Sequence, residues 1–496
     1  MLNGVPGATF PTAVALASTP AATSRRARSV RPVGLIPSAS YSITVRLEVP
    51  ADGLPASQLT AAVESAGGMV TAFDVTAARG DVLQVDLTCA APDADHAVQI
   101  TDALARVDGV VVGKVSDRTF LLHLGGKIEV QSKVPLRTRD DLSMAYTPGV
   151  ARVCRAIVDR PADVRRLTIK RNTVAVVTDG SAVLGLGNLG PEAALPVMEG
   201  KAALFKRFAG IDAWPICLAT QDTEEIIRTV EIIAPVFGGI NLEDIAAPKC
   251  FEVEARLRER LDIPVFHDDQ HGTAIVVLAA LTNALRVVGK PLAGVRIAMS
   301  GAGAAGTAIL NLLLAAGATD VVVGDVIGVV HPDRPGLDPS LLAVAAKTNK
   351  RGLSGRLSEA IAGADVFIGV SAPDVLSEAD VASMAPDAIV FALANPDPEI
   401  DPMLARRHAK VVATGRSDFP NQINNVLAFP GVFRGLLDAQ SRSVPQSALL
   451  AAARALADVV TDDERHANYI VPSVFHPDLA STVAAAVSSA VSGSSE

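Results

Sequence analysis

The sequence predicts an α/β protein: two successive α/β regions, the second a Rossmann-like dinucleotide-binding domain, preceded by a small ferredoxin-like α+β domain. Three observations carry this. Short apolar runs alternate with helical stretches from Arg171 to Thr414, the texture of sheets covered by helices. Gly301-Ala302-Gly303-Ala304-Ala305-Gly306 stands between an apolar run and a helical pattern. Residues 40–117 read in the order βαββαβ, the split βαβ unit.

Residues 1–39 are rich in Ala, Ser and Pro, carry Arg25, Arg26, Arg28 and Arg31, and read as a disordered tail; their Pro and Gly content, and an apolar stretch placed before the arginines, argue against a transit peptide. Ser42–Val49 alternates with period two and reads as a strand, Ser57–Ala66 as a helix closed by Gly67-Gly68, and Met69–Val75 and Val82–Thr88 as the next strands. His96–Val107 is helical up to Asp108-Gly109, and Val110–Val115 supplies the fourth strand. In element order and length residues 40–117 resemble an ACT-type regulatory domain. That resemblance implies a small-molecule effector bound between paired copies; a dimerisation module without a ligand is the alternative.

A connecting segment, Phe120–Asp141, leads into the region 118–271. There Arg171–Thr178, Val236–Ile240 and Ile263–Phe266 read as strands and Asp222–Ile233 as a helix. The region 272–480 repeats the alternation, with strands at Val295–Ser300, Val321–Gly324, Val366–Gly369, Ile389–Ala392 and Val411–Thr414. Residues 481–496 fade into small polar residues and read as a frayed end.

A chain of 496 residues exceeds the usual size of one core, so several domains are expected. Hydrophobic residues make up 49% and charged residues 20%, which excludes a disordered chain; a net charge of −9 offers no basic surface for nucleic acid. Cys89, Cys154, Cys217 and Cys250 lie far apart with no C-x-x-C pair, and read as free thiols in a reducing compartment. Ala274–Val288 is interrupted by Asn283 and Arg286, which suits a buried helix better than a membrane span. The expected location is cytoplasmic.

G-x-G-x-x-G occurs twice, at Gly185–Gly190 and Gly301–Gly306. Only the second has the order strand, loop, helix (Thr307–Ala316) and strand, with Asp325 placed to accept the ribose hydroxyls. Its glycines let the backbone approach a pyrophosphate at the positive end of the following helix. The first loop is followed only by Phe205 inside a helical run, so it is not a nucleotide fingerprint. Asp325 would repel a 2′-phosphate, and Val326, Ile327 and Gly328 offer no cation to neutralise one; NAD is favoured, with NADP the alternative.

Two pairs of adjacent carboxylates, Glu243/Asp244 and Asp268/Asp269, follow apolar runs that suggest strand ends. Crowded carboxylates repel unless a cation lies between them, so a divalent metal accounts for them; a helix cap and a solvated pair are the alternatives.

These motifs form one ordered set. Asp141-Leu-Ser-Met-Ala-Tyr-Thr-Pro-Gly-Val150, Thr178-Asp-Gly-Ser-Ala-Val-Leu-Gly-Leu-Gly-Asn188, Pro196-Val-Met-Glu-Gly-Lys201, Leu242-Glu-Asp-Ile245 and Phe266-His-Asp-Asp-Gln-His-Gly-Thr273 follow one another along the chain. Over residues 120–480 the sequence resembles the malic enzyme family in its shorter bacterial form. The resemblance implies a malic-enzyme-type α/β domain joined to a Rossmann-like NAD-binding domain. It also implies oxidative decarboxylation of malate to pyruvate and CO2 with NAD(P) and Mg²⁺ or Mn²⁺, and a homodimer or higher homo-oligomer.

Carried over by motif, Glu243, Asp244 and Asp269 would hold the metal, Lys201 would be the general base with Asp268 orienting it, and Tyr146 would be the acid that protonates C3. Asn395 and Asn425 match the family's substrate-side asparagines, Asn395 also lying at the cofactor. As a base at neutral pH, Lys201 is expected to have a depressed pKa, in a tight irregular turn marked by Pro196 and Gly200. Larger relatives carry an arginine where Ser181 or Ala182 stands here, so other donors must hold the substrate carboxylate. Two rival functions share these residues: a malolactic outcome without net NADH release, and a non-catalytic ACT/nucleotide sensor. The sensor would lack Tyr146, Lys201 or a metal acid, and all are present.

Overall fold

A computed structural model describes residues 37–51 and 56–493, which fall into two compact units divided after Arg118. In the first unit β1 (Ser38–Pro50), β2 (Met69–Arg79), β3 (Val82–Ala91) and β4 (Val111–Asp117) form an antiparallel sheet in the order β2-β3-β1-β4. Helices Ala56–Ser65 and Ala94–Ala105 follow β1 and β3, giving the βαββαβ order. The period-two pattern of β1 does its work on one face: Val45, Leu47 and Val49 pack with Leu59 and Val63 of one helix and Ile100 and Leu104 of the other. The first strand begins at Ser38, inside the stretch expected to be a tail; the rest of that expectation, residues 1–36, lies outside the described residues.

The second unit contains two parallel sheets. One has the order β6-β5-β7-β8, from β5 (Thr173–Thr178), β6 (Asp212–Cys217), β7 (Gly239–Leu242) and β8 (Val265–His267). The other has the order β10-β9-β11-β12-β13, from β9 (Arg296–Ser300), β10 (Asp320–Gly324), β11 (Val366–Gly369), β12 (Ile389–Ala392) and β13 (Val411–Thr414). Every residue of β5 is buried, as expected of a strand covered on both faces. β6 escaped the sequence reading because Pro215 lowers its strand signal, and a proline is tolerated there because β6 is an edge.

Helix Asp268–Val288 starts directly where β8 ends. It crosses the boundary expected at 271/272, so the two α/β regions share it. By length and composition it is the one helix among the described residues that could cross a membrane, and 67% of its apolar window is buried in the fold. Asn283 does not interrupt it; its side-chain amide donates to the carbonyls of Ala457 and Ile470 at 2.8 and 3.0 Å.

The carboxy-terminal end is packed as far as Ser492, not frayed from 481. Val483, Val487 and Val491 of helix Leu479–Ser492 are buried, and Val483 and Val487 pack at Gly431 and Gly435 of helix Phe429–Asp438. That helix returns to the first sheet. Phe429 and Phe433 meet Phe205 edge-on, with centroids 4.7 and 5.2 Å apart, and Phe433 meets Phe266. The last helices therefore do not belong to the second sheet alone.

Candidate active site

Both parallel sheets direct their carboxyl ends at one cleft of about 760 Å³, where open α/β sheets place ligands. Lys201, Glu243, Asp244 and Asp269 line it from the first sheet, and Ala305, Val370, Asn395 and Asn425 from the second.

Lys201 lies inside the regular helix Pro191–Ala209, not in a turn; the helix accommodates Pro196. The side chain is buried and its ammonium is bracketed by Glu243 Oε1 at 2.9 Å and Asp268 Oδ2, with the Phe429 ring centroid 4.2 Å away. The expected depression of its pKa is reversed. Burial works against the charge, but Asp268 and Glu243 outweigh burial and hold the proton on.

The acids come from the ends of β7 and β8. Asp244 takes φ +53, a left-handed conformation unusual for a non-glycine residue, and its N–H donates to Asp269 Oδ2 at 2.8 Å. Asn241 Nδ2 donates to Glu243 Oε2 at 2.9 Å. Asp268 does not cap a helix beginning near Gly272, because the helix begins at Asp268 itself. Its Oδ1 instead occupies the space over Gly272, where a Cβ would stand 1.9 Å away. Burial raises the proton affinity of all four carboxyls, against the pull of Lys201 on Glu243, Asp268 and Asp269; in Asp244 repulsion from Asp269 and Glu243 adds to burial and pushes it up to about 8.

This chemistry fits a divalent cation. Four carboxylates face one ammonium, and Asp244 Oδ2 and Asp268 Oδ1 are buried without a hydrogen-bond partner. An all-oxygen donor set suits Mg²⁺ or Mn²⁺. Among the described residues no three acidic, histidine or cysteine side chains already converge as ligands, and Glu243 and Asp268 are engaged by Lys201.

The loop Gly301–Gly306 has the geometry its glycines demand. Gly301 has φ +106 and a Cβ there would lie 2.6 Å from the Val370 carbonyl oxygen; a Cβ on Gly306 would lie 2.0 Å from the Gly301 oxygen. Gly303 faces open space beside the start of helix Ala304–Ala315, with Ala302 and Ala305 alongside. Asp325 follows β10 as expected, but it is not free of cations. Arg334 donates to Asp325 Oδ1 at 2.9 Å and pairs with Oδ2, while the N–H groups of Ile327 and Gly328 also reach Oδ1. Burial opposes its charge, yet Arg334 and those N–H groups hold its carboxyl below the usual range. The cation that the adjacent residues lack is supplied nine positions later in the chain.

Asn395 and Asn425 both reach the cleft wall. The first glycine loop, which is no nucleotide site in the sequence reading, backs onto Asn395: a Cβ on Gly185 would lie 2.7 Å from its carbonyl oxygen. Ser181 is used internally, donating to Asp179 Oδ1 at 2.6 Å and accepting from the Ala246 N–H at 2.9 Å.

Tyr146 is the exception. It ends the helix Arg139–Ala145, which a Thr138/Asp141 capping box starts, and its side chain is 66% exposed and absent from the cleft lining. The helix turns it outward, so within one chain the structure does not bring it to Lys201. The sequence reading missed three residues: Phe429 beside Lys201, and His123 and Lys127 in the cleft. Their only local signal is Gly125-Gly126 ahead of Lys127, a turn mark with no chemistry of its own.

Comparison with known proteins agrees with this geometry. Residues 125–258 match the malic enzyme N-terminal domain and residues 270–492 the malic enzyme NAD binding domain. The chain is 56% identical to an NAD-dependent malic enzyme of Geobacillus stearothermophilus over 449 residues, 90% of this chain and 94% of that one. It is 53% identical to a bifunctional malic/malolactic enzyme of Bacillus subtilis over 382 residues, 76% of this chain and 93% of that one. The crystal structure of the NAD-dependent malic enzyme of Thermotoga maritima superposes with a TM-score of 0.73 at 48% identity, covering 75% of this chain and 99% of that one. With both domains matched in order, and the acid cluster and glycine loop meeting in one cleft, the chain belongs to the malic enzyme family.

Proposed function

We propose that this protein oxidises malate with NAD and decarboxylates the product to pyruvate. The observation that carries this reading is Lys201, buried between Glu243 and Asp268 in the same cleft that receives the Gly301–Gly306 loop. Glu243, Asp244 and Asp269 would hold a divalent cation, which would supply polarisation of the C2 oxygen, and the Gly301–Gly306 loop would hold the NAD that would supply the hydride acceptor. Lys201, protonated at rest, first passes its own proton to Asp268 and then takes the proton from the C2 hydroxyl. Asp268 is its proton partner: one oxygen bonds Lys201, the other is unpartnered, and the buried carboxyl holds protons well above the usual carboxylate range. Asn395 and Asn425 orient the substrate from the second sheet, and Asn395 also contacts the cofactor.

Tyr146 is the proposed acid for C3, acting in the cleft of a second copy. Tyr146 is exposed, as are the apolar side chains Leu122, Leu124, Val130 and Met144 in the segment before it, and a homodimer would cover them. The first unit, with its ferredoxin-like topology, is the proposed ACT-type regulatory domain. The match to the Geobacillus relative covers 90% of this chain, more than the second unit alone, so the likeness runs into this domain. The reducing cytoplasm is the proposed location, consistent with four free thiols.

The name of the Bacillus relative supports one second reading, lactate formation without net NADH. The test is absorbance of reduced nicotinamide with malate and Mn²⁺, NAD against NADP, and EDTA as control. Metal-dependent NADH matched by pyruvate supports the proposal; lactate without NADH selects the second reading, and no product rejects both.

A further inference from the structure

The cleft holds a second lysine that this mechanism leaves unused. Lys127 enters through Gly125 and Gly126, both at positive φ (+79 and +86), which turn the chain inward after helix Arg118–His123. Its ammonium donates to the Pro196 carbonyl at 2.6 Å and to His123 Nε2 at 3.0 Å. His123 Nδ1 lies 2.7 Å from the Thr119 carbonyl, which can only accept. Nδ1 therefore carries the proton, Nε2 receives the lysine's, and a neutral imidazole positions the ammonium without cancelling its charge. Among the described residues no carboxylate forms an ion pair with Nζ; Glu199 accepts the backbone N–H at 3.2 Å and reaches the ammonium only as a nearby charge. A Cβ on Gly200 would stand 3.4 Å from Nζ, so Lys127 approaches the helix one residue before Lys201. Of the two lysines, Lys201 is bound by acids and Lys127 has a donor to spare.

We propose that Lys127 receives the substrate carboxylate that remains in the product, the one next to the C2 hydroxyl. The inference rests on the malate-oxidising reading. Ser181 and Ala182 supply no cation where larger relatives carry an arginine, and the Ser181 hydroxyl is already engaged. The assignment to C1 follows from the reaction. Loss of CO2 draws the electron pair of the C3–C4 bond away from the departing carboxylate, and a cation on that carboxylate would hold its charge in place. A cation on the retained carboxylate carries no such cost and binds malate and pyruvate alike.

The test is Lys127→Met in the full chain, with kinetics in malate and product inhibition by pyruvate. Loss of one charge-assisted contact should raise the malate KM at least about tenfold and the pyruvate inhibition constant by a similar factor, with a smaller change in kcat. The KM for NAD should hold, and Lys127→Arg should recover part of the loss. Lys127→Gln, which retains a donor for Pro196, serves if the methionine variant does not fold. A malate KM within about twofold of wild type, or a loss confined to kcat, overturns the inference. A raised malate KM with unchanged pyruvate inhibition also overturns it, by moving Lys127 to the departing carboxylate. A wild-type protein that turns over no malate overturns the functional reading and this inference together, whereas an active wild type beside an unaffected Lys127→Met overturns the inference alone.

Discussion

The ammonium of Lys201 lies 4.2 Å from the centroid of the Phe429 ring, which the carboxy-terminal helices deliver from the far end of the chain. The ring face lies against the ammonium and favours its charged form.

Two substitutions separate base from support. Lys201→Ala is expected to abolish oxidation while the NADH dissociation constant, read by fluorescence titration, changes little. Phe429→Leu should retain the base, slow turnover several-fold, and lower the unfolding free energy by about 1 kcal/mol. Near-native turnover in Lys201→Ala would remove it from the base role.

A metal bound at the acid cluster, as proposed, is expected to stabilise the fold in a pH-dependent way. Asp244 holds its proton up to about 8 in the fold, against 3.8 as its ordinary value. The folded state therefore binds more protons across that interval, and this contribution to stability falls as pH rises through it. His267 has the opposite sign: burial holds it neutral down to about 4, so its contribution is lost as pH falls from 6.5 toward that value. Mn²⁺ must displace the cluster's protons, so it should raise Tm more at about pH 8 than at about pH 6. Scanning calorimetry with and without EDTA reads this, and an equal gain at both values would contradict it.

The pairing of Arg334 with Asp325 is expected to govern the choice between cofactors. Asp325→Ser removes the charge that repels a 2′-phosphate and frees the guanidinium to pair with it. The ratio of kcat/KM for NADP over NAD should rise by at least about tenfold, and Arg334→Ala in the same background should reverse the gain. An unchanged ratio would show that the ribose is bound elsewhere.

Tyr146 offers a test of assembly as well as chemistry. Tyr146→Phe and Lys201→Ala should each be nearly inactive alone, because each chain then lacks one of the two proposed proton-transfer groups. Mixed and allowed to exchange subunits, they should regain about a quarter of wild-type activity, since some pairs carry one site with both residues. No recovery, with exchange verified by mass, would place Tyr146 outside the partner's cleft.

Much of the second unit was legible in the sequence. The strands Val366–Gly369, Ile389–Ala392 and Val411–Thr414 lie where the apolar runs put them, because a strand buried on both faces leaves an uninterrupted mark. The acid pairs likewise stand at strand ends, and the second glycine loop joins strand to helix. β6 was illegible because an edge strand can hold a proline, and the last helix because small residues suffice where glycines on its partner allow close approach.

By itself the sequence determined the element order, the glycine loop and the two pairs of adjacent acids, since each depends on neighbours along the chain. Backbone conformation, strand alternation and the repulsion of adjacent carboxylates are local properties that nearby residues record. Only the tertiary structure decided that Lys201 sits between Glu243 and Asp268 beside Phe429, that Arg334 holds Asp325, that Lys127 enters the cleft, and that Tyr146 faces outward. Those partnerships depend on which segments the packing of apolar faces brings together. Many sequences satisfy that packing equally well, so it leaves no short-range signal of where a distant charge will come to rest.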